Sequence, residues 1–105
     1  SPNSRQFVFA YTVRISNEGA ENAQLRARHW VITASSGHEH EVVGDGVVGA
    51  QPVLRPGQHF EYTSGCALPT ARGFMRGTFR MVTDKGDEFD AEVGSFALSM
   101  PHSLN

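Results

Sequence analysis

The sequence has a single cysteine, Cys66, no excess of charge of either sign, and no apolar run long enough to span a bilayer. One cysteine excludes an internal disulfide and is typical of a reducing compartment. The 9 basic and 11 acidic residues give a formal net charge of -2, which leaves no electrostatic footprint for nucleic acid or an anionic membrane. We therefore expect a cytoplasmic domain that binds neither nucleic acid nor membrane.

The sequence also lacks helical periodicity, since no segment repeats apolar residues at the spacing of an amphipathic helix. Apolar residues instead alternate with polar ones, most clearly from Phe7 to Ile15 and from Met75 to Met81. The 105 residues suffice for one domain with one core. This pattern predicts an all-β fold, a sandwich of two antiparallel sheets.

Two of the predicted strands contain a break in their alternation. In the strand from Leu25 to Thr33, Leu25 and Trp30 have opposite parity, which predicts a β-bulge or a strand covered on both faces. At Gly94-Ser95, near the end of the last strand, the parity changes again and predicts a bulge or a strand that switches sheets.

The remaining predicted strands are shorter. A polar strand from His38 to Val43 has the alternating charge expected at a sheet edge, and another strand runs from Gln58 to Ser64. We expect a loop from Ser64 to Gly73, because glycine and proline interrupt that region. A turn at residues 84–87 connects the two strands of the clearest hairpin.

Three glycines, Gly44, Gly46 and Gly49, have the G-x-G-x-x-G spacing of a dinucleotide-binding fingerprint. That fingerprint requires a helix immediately after the glycines, but residues 51–57 contain two prolines and a Pro-Gly turn. The acidic residue expected about 20 positions further on is also missing. The sequence therefore predicts a glycine-rich loop in a β domain, and no nucleotide-binding fold.

Several collinear segments from about Phe7 to Pro101 resemble one family closely: residues 28–33, 44–52, 56–57, 62–65, 73–77 and 96–101. Together they resemble the ApaG domain family. The resemblance implies an immunoglobulin-like or fibronectin type III-like sandwich over residues 7–101, with a flexible segment at 1–6 and a tail at 102–105. Family domains usually begin with a strand before Phe7, so we expect that strand to be missing or trimmed.

The resemblance also implies a function. Bacterial members are associated with cobalt resistance and magnesium efflux and with a neighbouring hydrolase of dinucleoside polyphosphates, whereas eukaryotic members are modules in proteins where protein recognition is expected. Neither an enzymatic activity nor a cofactor comes with the family. The chain departs from the usual family residues at Ala34, at Ala71 and at Val93-Gly94.

We accordingly expect a non-enzymatic binding module that recognises another protein, with homodimerisation as a further expectation if a sheet edge is uncovered. The alternative is a sensor of pyrophosphate or dinucleotide polyphosphate, in which loop amides and arginines hold the anion. Both hypotheses use the same candidate residues, which are Gly44, Gly46, Val47, Val48, Gly49, Arg28 and Arg76. Arg26, Arg72 and Arg80 are further candidates for a basic patch. Against such a patch, the glycines can serve a loop packed over Trp30, with Val47 and Val48 filling the core edge.

No catalytic or metal-binding residue is predicted. His38 to Glu41 would place two imidazoles on one face of a strand and two carboxylates on the other, which is too few converging ligands for zinc. Cys66 with His59, or Ser64 with a histidine, lacks the third member and the sequence motif of a nucleophilic site. We expect structural roles for these residues, and for Trp30 a place in the core.

Overall fold

The structure, a computed structural model, describes residues 6–99, and all regular secondary structure in that range consists of β-strands. In chain order the strands are β1 (Phe7–Ser16), β2 (Ala23–Ala34), β3 (Glu39–Asp45), β4 (Val53–Leu54), β5 (His59–Leu68), β6 (Arg72–Thr83) and β7 (Glu88–Ser99). Within the described range there is no helix long and apolar enough to cross a membrane. The predicted segment 1–6, apart from Gln6, and the predicted tail 102–105 lie outside the described residues, as do residues 100–101.

Two antiparallel sheets enclose one core. In the first sheet β1 pairs with β5 over its whole length, from Phe7 opposite Leu68 to Ser16 opposite His59. The second sheet has five strands: β3, β2, β6 and β7 lie side by side, and the short β4 pairs with β2 beyond the end of β3. The predicted all-β, immunoglobulin-like or fibronectin type III-like sandwich is confirmed.

The core lies between the sheets, and Trp30 of β2 is at its centre with 2% of its surface exposed. Its ring makes edge-on contacts with Tyr11 of β1, Phe79 of β6 and Phe96 of β7, at centroid distances of 6.0, 5.5 and 6.1 Å. Such edge-to-face pairs add to the stabilisation from buried area. The predicted core role of Trp30 is confirmed, because this one ring joins both sheets.

The break in the alternation of β2 is a bulge at Arg26. Leu25 and Ala27 pair with two adjacent residues of β6, so Arg26 is the extra residue. The side chains of β2 exchange faces at that point. Leu25 and Trp30 consequently both point into the core despite their opposite parity, with 0% and 2% exposure. The bulge alternative of the sequence analysis is confirmed.

The second break, in β7, is also a bulge. Met75 pairs with Phe96 and Gly77 with Val93, so the two residues Gly94 and Ser95 stand opposite a single residue of β6. β7 continues along the same sheet on both sides of the bulge and does not switch sheets.

The predicted loop from Ser64 to Gly73 is wrong. β5 continues to Leu68, and only residues 69–71 connect it to β6. The inward positions of this half of β5 are Ser64, Cys66 and Leu68, and the small or polar side chains of the first two give a weak apolar signal. Pairing with β1 supplies the backbone hydrogen bonds, so the strand persists through Gly65.

Candidate functional site

The glycine loop, residues 44–52, connects the end of β3 to β4 at one edge of the larger sheet. Its backbone closes into a tight turn, since the amides of Val47 and Ala50 each donate to the other's carbonyl at 2.9 Å. Gly46, Val48 and Gly49 have positive φ values of 63°, 43° and 79°. The loop leads into a strand, so the prediction that no phosphate-binding helix follows the glycines is confirmed.

The bulge in β2 anchors this loop. The carbonyl of the bulged Arg26 accepts hydrogen bonds from the Gly46 amide at 2.8 Å and from Gln51 Nε2 at 2.9 Å. Arg28 adds a second anchor, because its Nη1 donates to the carbonyls of Asp45 and Gly46, both at 2.9 Å. Four hydrogen bonds therefore fix the start and the end of the loop: two are accepted by Arg26 and two are donated by Arg28, both residues of β2.

Close contacts favour glycine at two of these positions, and most strongly at Gly46, where the contact is with backbone. A Cβ at Gly44 would lie 2.8 Å from the Arg28 guanidinium, so glycine there leaves room for the anchoring side chain. A Cβ at Gly46 would overlap the Ala50 carbonyl oxygen, and the φ of Gly46 is positive as well. Gly49 lies in open space, and only its left-handed backbone favours glycine.

The two valines of the loop have different environments. Val47 is 1% exposed and belongs to the core, as expected. Val48, expected to fill the core edge as well, is 58% exposed, because the left-handed backbone at this position turns its side chain outward. A β-branched residue rarely adopts a positive φ, so the loop holds an apolar side chain in solvent at a cost in backbone strain.

The two arginines predicted to accompany the loop lie on opposite faces of the larger sheet. Arg28 is opposite the buried Phe79 and therefore on the core side, at its edge. Arg76 is opposite Val31 on the outer face, where it forms an ion pair with Glu39 at 3.8 Å. Arg28 is therefore at the glycine loop and Arg76 is not.

The other arginines do not gather there either. Arg80, on the outer face, pairs with Asp90 at 2.8 Å and with Glu88 at 3.2 Å, and these acids raise the pKa of its guanidinium. Arg26, near the start of β2, and Arg72, the first residue of β6 and close to the end of β2, are both exposed and far apart along the sheet. The five arginines considered in the sequence analysis are dispersed over two faces and form no single basic patch.

β3 begins at Glu39, so His38, which was predicted to start the strand, lies outside it, and alternation separates the remaining charged residues as predicted. Glu39 and Glu41 are on the outer face. Glu39 accepts a hydrogen bond from Thr33 Oγ1, and Glu41 pairs with His29 Nε2, both at 3.0 Å. His40 lies on the other face of the strand, opposite Ile32. Within residues 6–99, no three His, Cys, Asp or Glu side chains are close enough together to hold a metal ion.

Cys66 and His59 are on opposite faces of β5, because seven positions separate them in a regularly alternating strand. The thiol is half-buried, and burial raises its pKa, which disfavours the nucleophilic thiolate. The geometry of this pair therefore provides no activated nucleophile.

One polar feature of the interior was not predictable from the sequence. The Trp30 indole nitrogen and the Tyr62 hydroxyl are buried near each other, and neither makes a hydrogen bond of good geometry in the described part of the chain. Burial raises the pKa of Tyr62 to about 12, with a further increase from Tyr11 and opposing effects of Arg28 and of the neighbouring Trp30 indole. Only the pairing of sheets brings these groups together, so no local motif announces them.

Comparison with known proteins identifies the family. The family model described as ApaG domain matches residues 1–83. A Protein ApaG from Anaeromyxobacter dehalogenans is 59% identical over 100 residues, which cover 95% of this chain and 80% of that protein. A Protein ApaG from Rhodospirillum centenum is 56% identical over 101 residues, 96% of this chain and 78% of that protein.

Solved structures of related sequences have the same fold. A crystal structure of a protein from Bordetella pertussis superposes with a TM-score of 0.89 at 51% identity, over 98% of this chain and 84% of that chain. A second X-ray structure gives a TM-score of 0.94 at 42% identity, over 99% of this chain and 79% of the other. The sequence blocks, the sandwich and these similarities lead to one conclusion: the chain belongs to the ApaG domain family.

Proposed function

We propose that this ApaG domain is a non-enzymatic protein-recognition module of the cytoplasm, with Val48 of the glycine loop as a central contact. One observation carries the proposal: a fixed loop holds a 58% exposed valine in a left-handed backbone conformation. Backbone strain of this kind is concentrated at functional sites. Loops on a rigid scaffold often carry binding residues, and the exposed apolar side chain of Val48 is available for such a contact.

The anchoring of the loop supports the same proposal. The hydrogen bonds of Arg26 and Arg28 hold the loop backbone, and the buried Val47 holds it from the core side. A loop already ordered before binding loses little conformational entropy when a partner docks. Little of the binding free energy of a Val48 contact is therefore lost to ordering of the loop.

The Val48→Asp variant tests the proposal. Aspartate tolerates a left-handed backbone, so the loop keeps its shape while the apolar contact is replaced by a charge. We expect affinity for the partner to fall about tenfold or more, as for a contact worth ~1.4 kcal/mol. The measurement is affinity purification from the source cells with quantitative mass spectrometry, followed by titration of the protein that is captured.

Val8→Asp is the matched control. Val8 is 70% exposed on β1 of the other sheet, so the substitution makes the same change in charge and chemistry away from the loop. A partner retained by wild type and Val8→Asp but lost with Val48→Asp supports the proposal. Equal retention by both variants contradicts it. Val47→Asp is unsuitable, because it would put a charge in the core.

Binding of pyrophosphate or dinucleotide polyphosphate has less support. Three loop amides, those of Gly46, Val47 and Ala50, already donate within the protein, and Arg28 is engaged with loop carbonyls. Calorimetric titration with pyrophosphate tests this alternative, and no heat at millimolar ligand would end it. For the cobalt and magnesium phenotypes of the family, we propose an indirect effect through the protein partner.

A further inference from the structure

The outer face of the larger sheet carries one row of residues that crosses all four long strands. Val43 of β3 is opposite His29 of β2, His29 is opposite Thr78 of β6, and Thr78 is opposite Glu92 of β7. Residues directly opposite each other share a face, so the four side chains form one line across the sheet. We refer to Val43, His29, Thr78 and Glu92 as the central row.

A shallow groove follows the central row. Two adjoining depressions of about 420 and 380 Å³ both include His29 and Thr78 in their walls, so they form one continuous groove. Arg76 borders the first depression and Arg80 the second. The small Thr78 side chain between these two arginines provides the floor.

The charges around the groove are unevenly satisfied. Arg76 pairs with Glu39 and Arg80 with Glu88 and Asp90, while His29 bonds Glu41 at 3.0 Å. Glu92, which lines the groove, has no ion-pair partner among residues 6–99. On the β7 side of the groove, the three carboxylates of Glu88, Asp90 and Glu92 accompany the single guanidinium of Arg80, and this local excess of negative charge is complementary to a cationic group.

The opposite end of the groove has an exposed apolar side chain, Val43, beside Arg28, whose guanidinium is engaged with carbonyls of the glycine loop. Val43 is 73% exposed and lies three strand spacings from Glu92 along the central row. At ~4.8 Å per spacing this is ~14 Å, which an extended chain covers in about four residues at ~3.3 Å each. An exposed apolar side chain and an acidic end at this separation match a short peptide segment.

We propose that this groove binds an extended segment of a protein partner that crosses the strands, with an arginine or lysine against Glu92 and an apolar residue about four positions away over Val43. The complementary charge of the groove selects the basic residue, and the exposed valine selects the apolar one. The proposal does not depend on the glycine loop, whose contact residue, Val48, does not line the groove.

A five-residue probe peptide tests the proposal: capped at both ends, it has leucine first, three serines, and arginine last. Titrated into the ¹⁵N-labelled protein, it should shift the amide resonances of His29, Thr78 and Glu92. Glu92→Gln should weaken its binding about two- to fivefold, the range of an exposed ion pair. Val43→Ser should weaken it as well, through the loss of apolar contact.

Controls separate this groove from general charge attraction and from the loop. Glu61→Gln makes the same charge change on β5 of the other sheet and should leave the affinity for the probe unchanged. Val48→Asp should also leave it unchanged, so failure of the loop proposal and failure of this one are distinguishable. The proposal is overturned by no shifts at about 5 mM peptide, well above a millimolar dissociation constant. It is equally overturned if glutamate in place of arginine binds as well, or if Glu61→Gln weakens binding as much as Glu92→Gln.

Discussion

At the scale of single residues, Tyr62 illustrates how the core tolerates polar groups. Its ring packs edge-on against Phe79 at 6.4 Å, and the residue is 7% exposed. Its hydroxyl makes no hydrogen bond of good geometry within residues 6–99. Burial costs the charged phenolate far more free energy than the neutral phenol, and this difference raises the pKa of Tyr62 to about 12.

The raised pKa predicts a loss of stability in alkali. The folded state holds the Tyr62 proton more tightly than the unfolded state. The stability that comes with the protonated phenol is therefore fully present below pH 10 and is lost as the pH rises towards 12. We expect the free energy of unfolding to fall over this range, and to fall less steeply in Tyr62→Phe. At pH 7 the variant should differ little from wild type, since it removes a hydroxyl that makes no hydrogen bond of good geometry within residues 6–99.

Urea unfolding at pH 7, 9 and 11 measures this effect. The two proteins should have parallel stabilities from pH 7 to 9, where neither state ionises the phenol appreciably, and should diverge at pH 11. Equal losses of stability between pH 9 and 11 would show that Tyr62 is not the group responsible.

At the scale of elements, the strands with strong alternation were predictable and the rest of the fold depended on pairing. β1, β6 and most of β2 have apolar residues on one face, and both bulges appear in the sequence as changes of parity. The second half of β5 was not predictable, because Gly65 and its small neighbours form a strand only through pairing with β1. Local patterns reveal which face of a strand is buried, but they do not reveal its partner.

The candidate site divides in the same way. The position of the glycine loop and the exclusion of a nucleotide fold followed from sequence. The separation of Arg28 from Arg76 did not, because it depends on the bulge and the register of β2 against β6. The central row was also hidden, since its four residues come from four different strands.

The pairing of β2 with β6 requires a glycine at position 77. A Cβ at Gly77 would overlap the carbonyl oxygen of His29 and lie 2.6 Å from Trp30 Cε3. The carbonyl belongs to the neighbouring strand and cannot move without disrupting the ladder. We expect Gly77→Ala to lower the free energy of unfolding by about 3 kcal/mol, the upper range for overpacking.

Gly94→Ala is the matched comparison in the β7 bulge. Nothing lies within 4 Å of a Cβ at Gly94 and its φ is not positive, so we expect a change close to zero. Denaturant unfolding of both variants measures the contrast. Similar stabilities for Gly77→Ala and Gly94→Ala would contradict the close packing of β2 against β6.

At the scale of the whole molecule, the two sheets depend on each other. β1 and β5 form a two-stranded sheet, which is marginal in isolation and here gains stability from the core of the larger sheet. Buried side chains from both sheets form one cluster, which includes Phe9 and Leu68 on one side and Phe79 and Leu98 on the other. Homodimerisation stays a prediction, which sedimentation velocity over a range of concentrations tests.

One shared core predicts a single cooperative unfolding transition. Trp30 is the only tryptophan, and its contacts with Tyr11 and Phe79 reach both sheets, so its fluorescence reports on sheet-to-sheet packing. Far-ultraviolet circular dichroism reports on the strands themselves. We expect the two urea transitions to have the same midpoint and the same slope. If the fluorescence changed at lower urea than the circular dichroism, β1 and β5 would separate from a larger sheet that remains folded, and the sandwich would not be one cooperative unit.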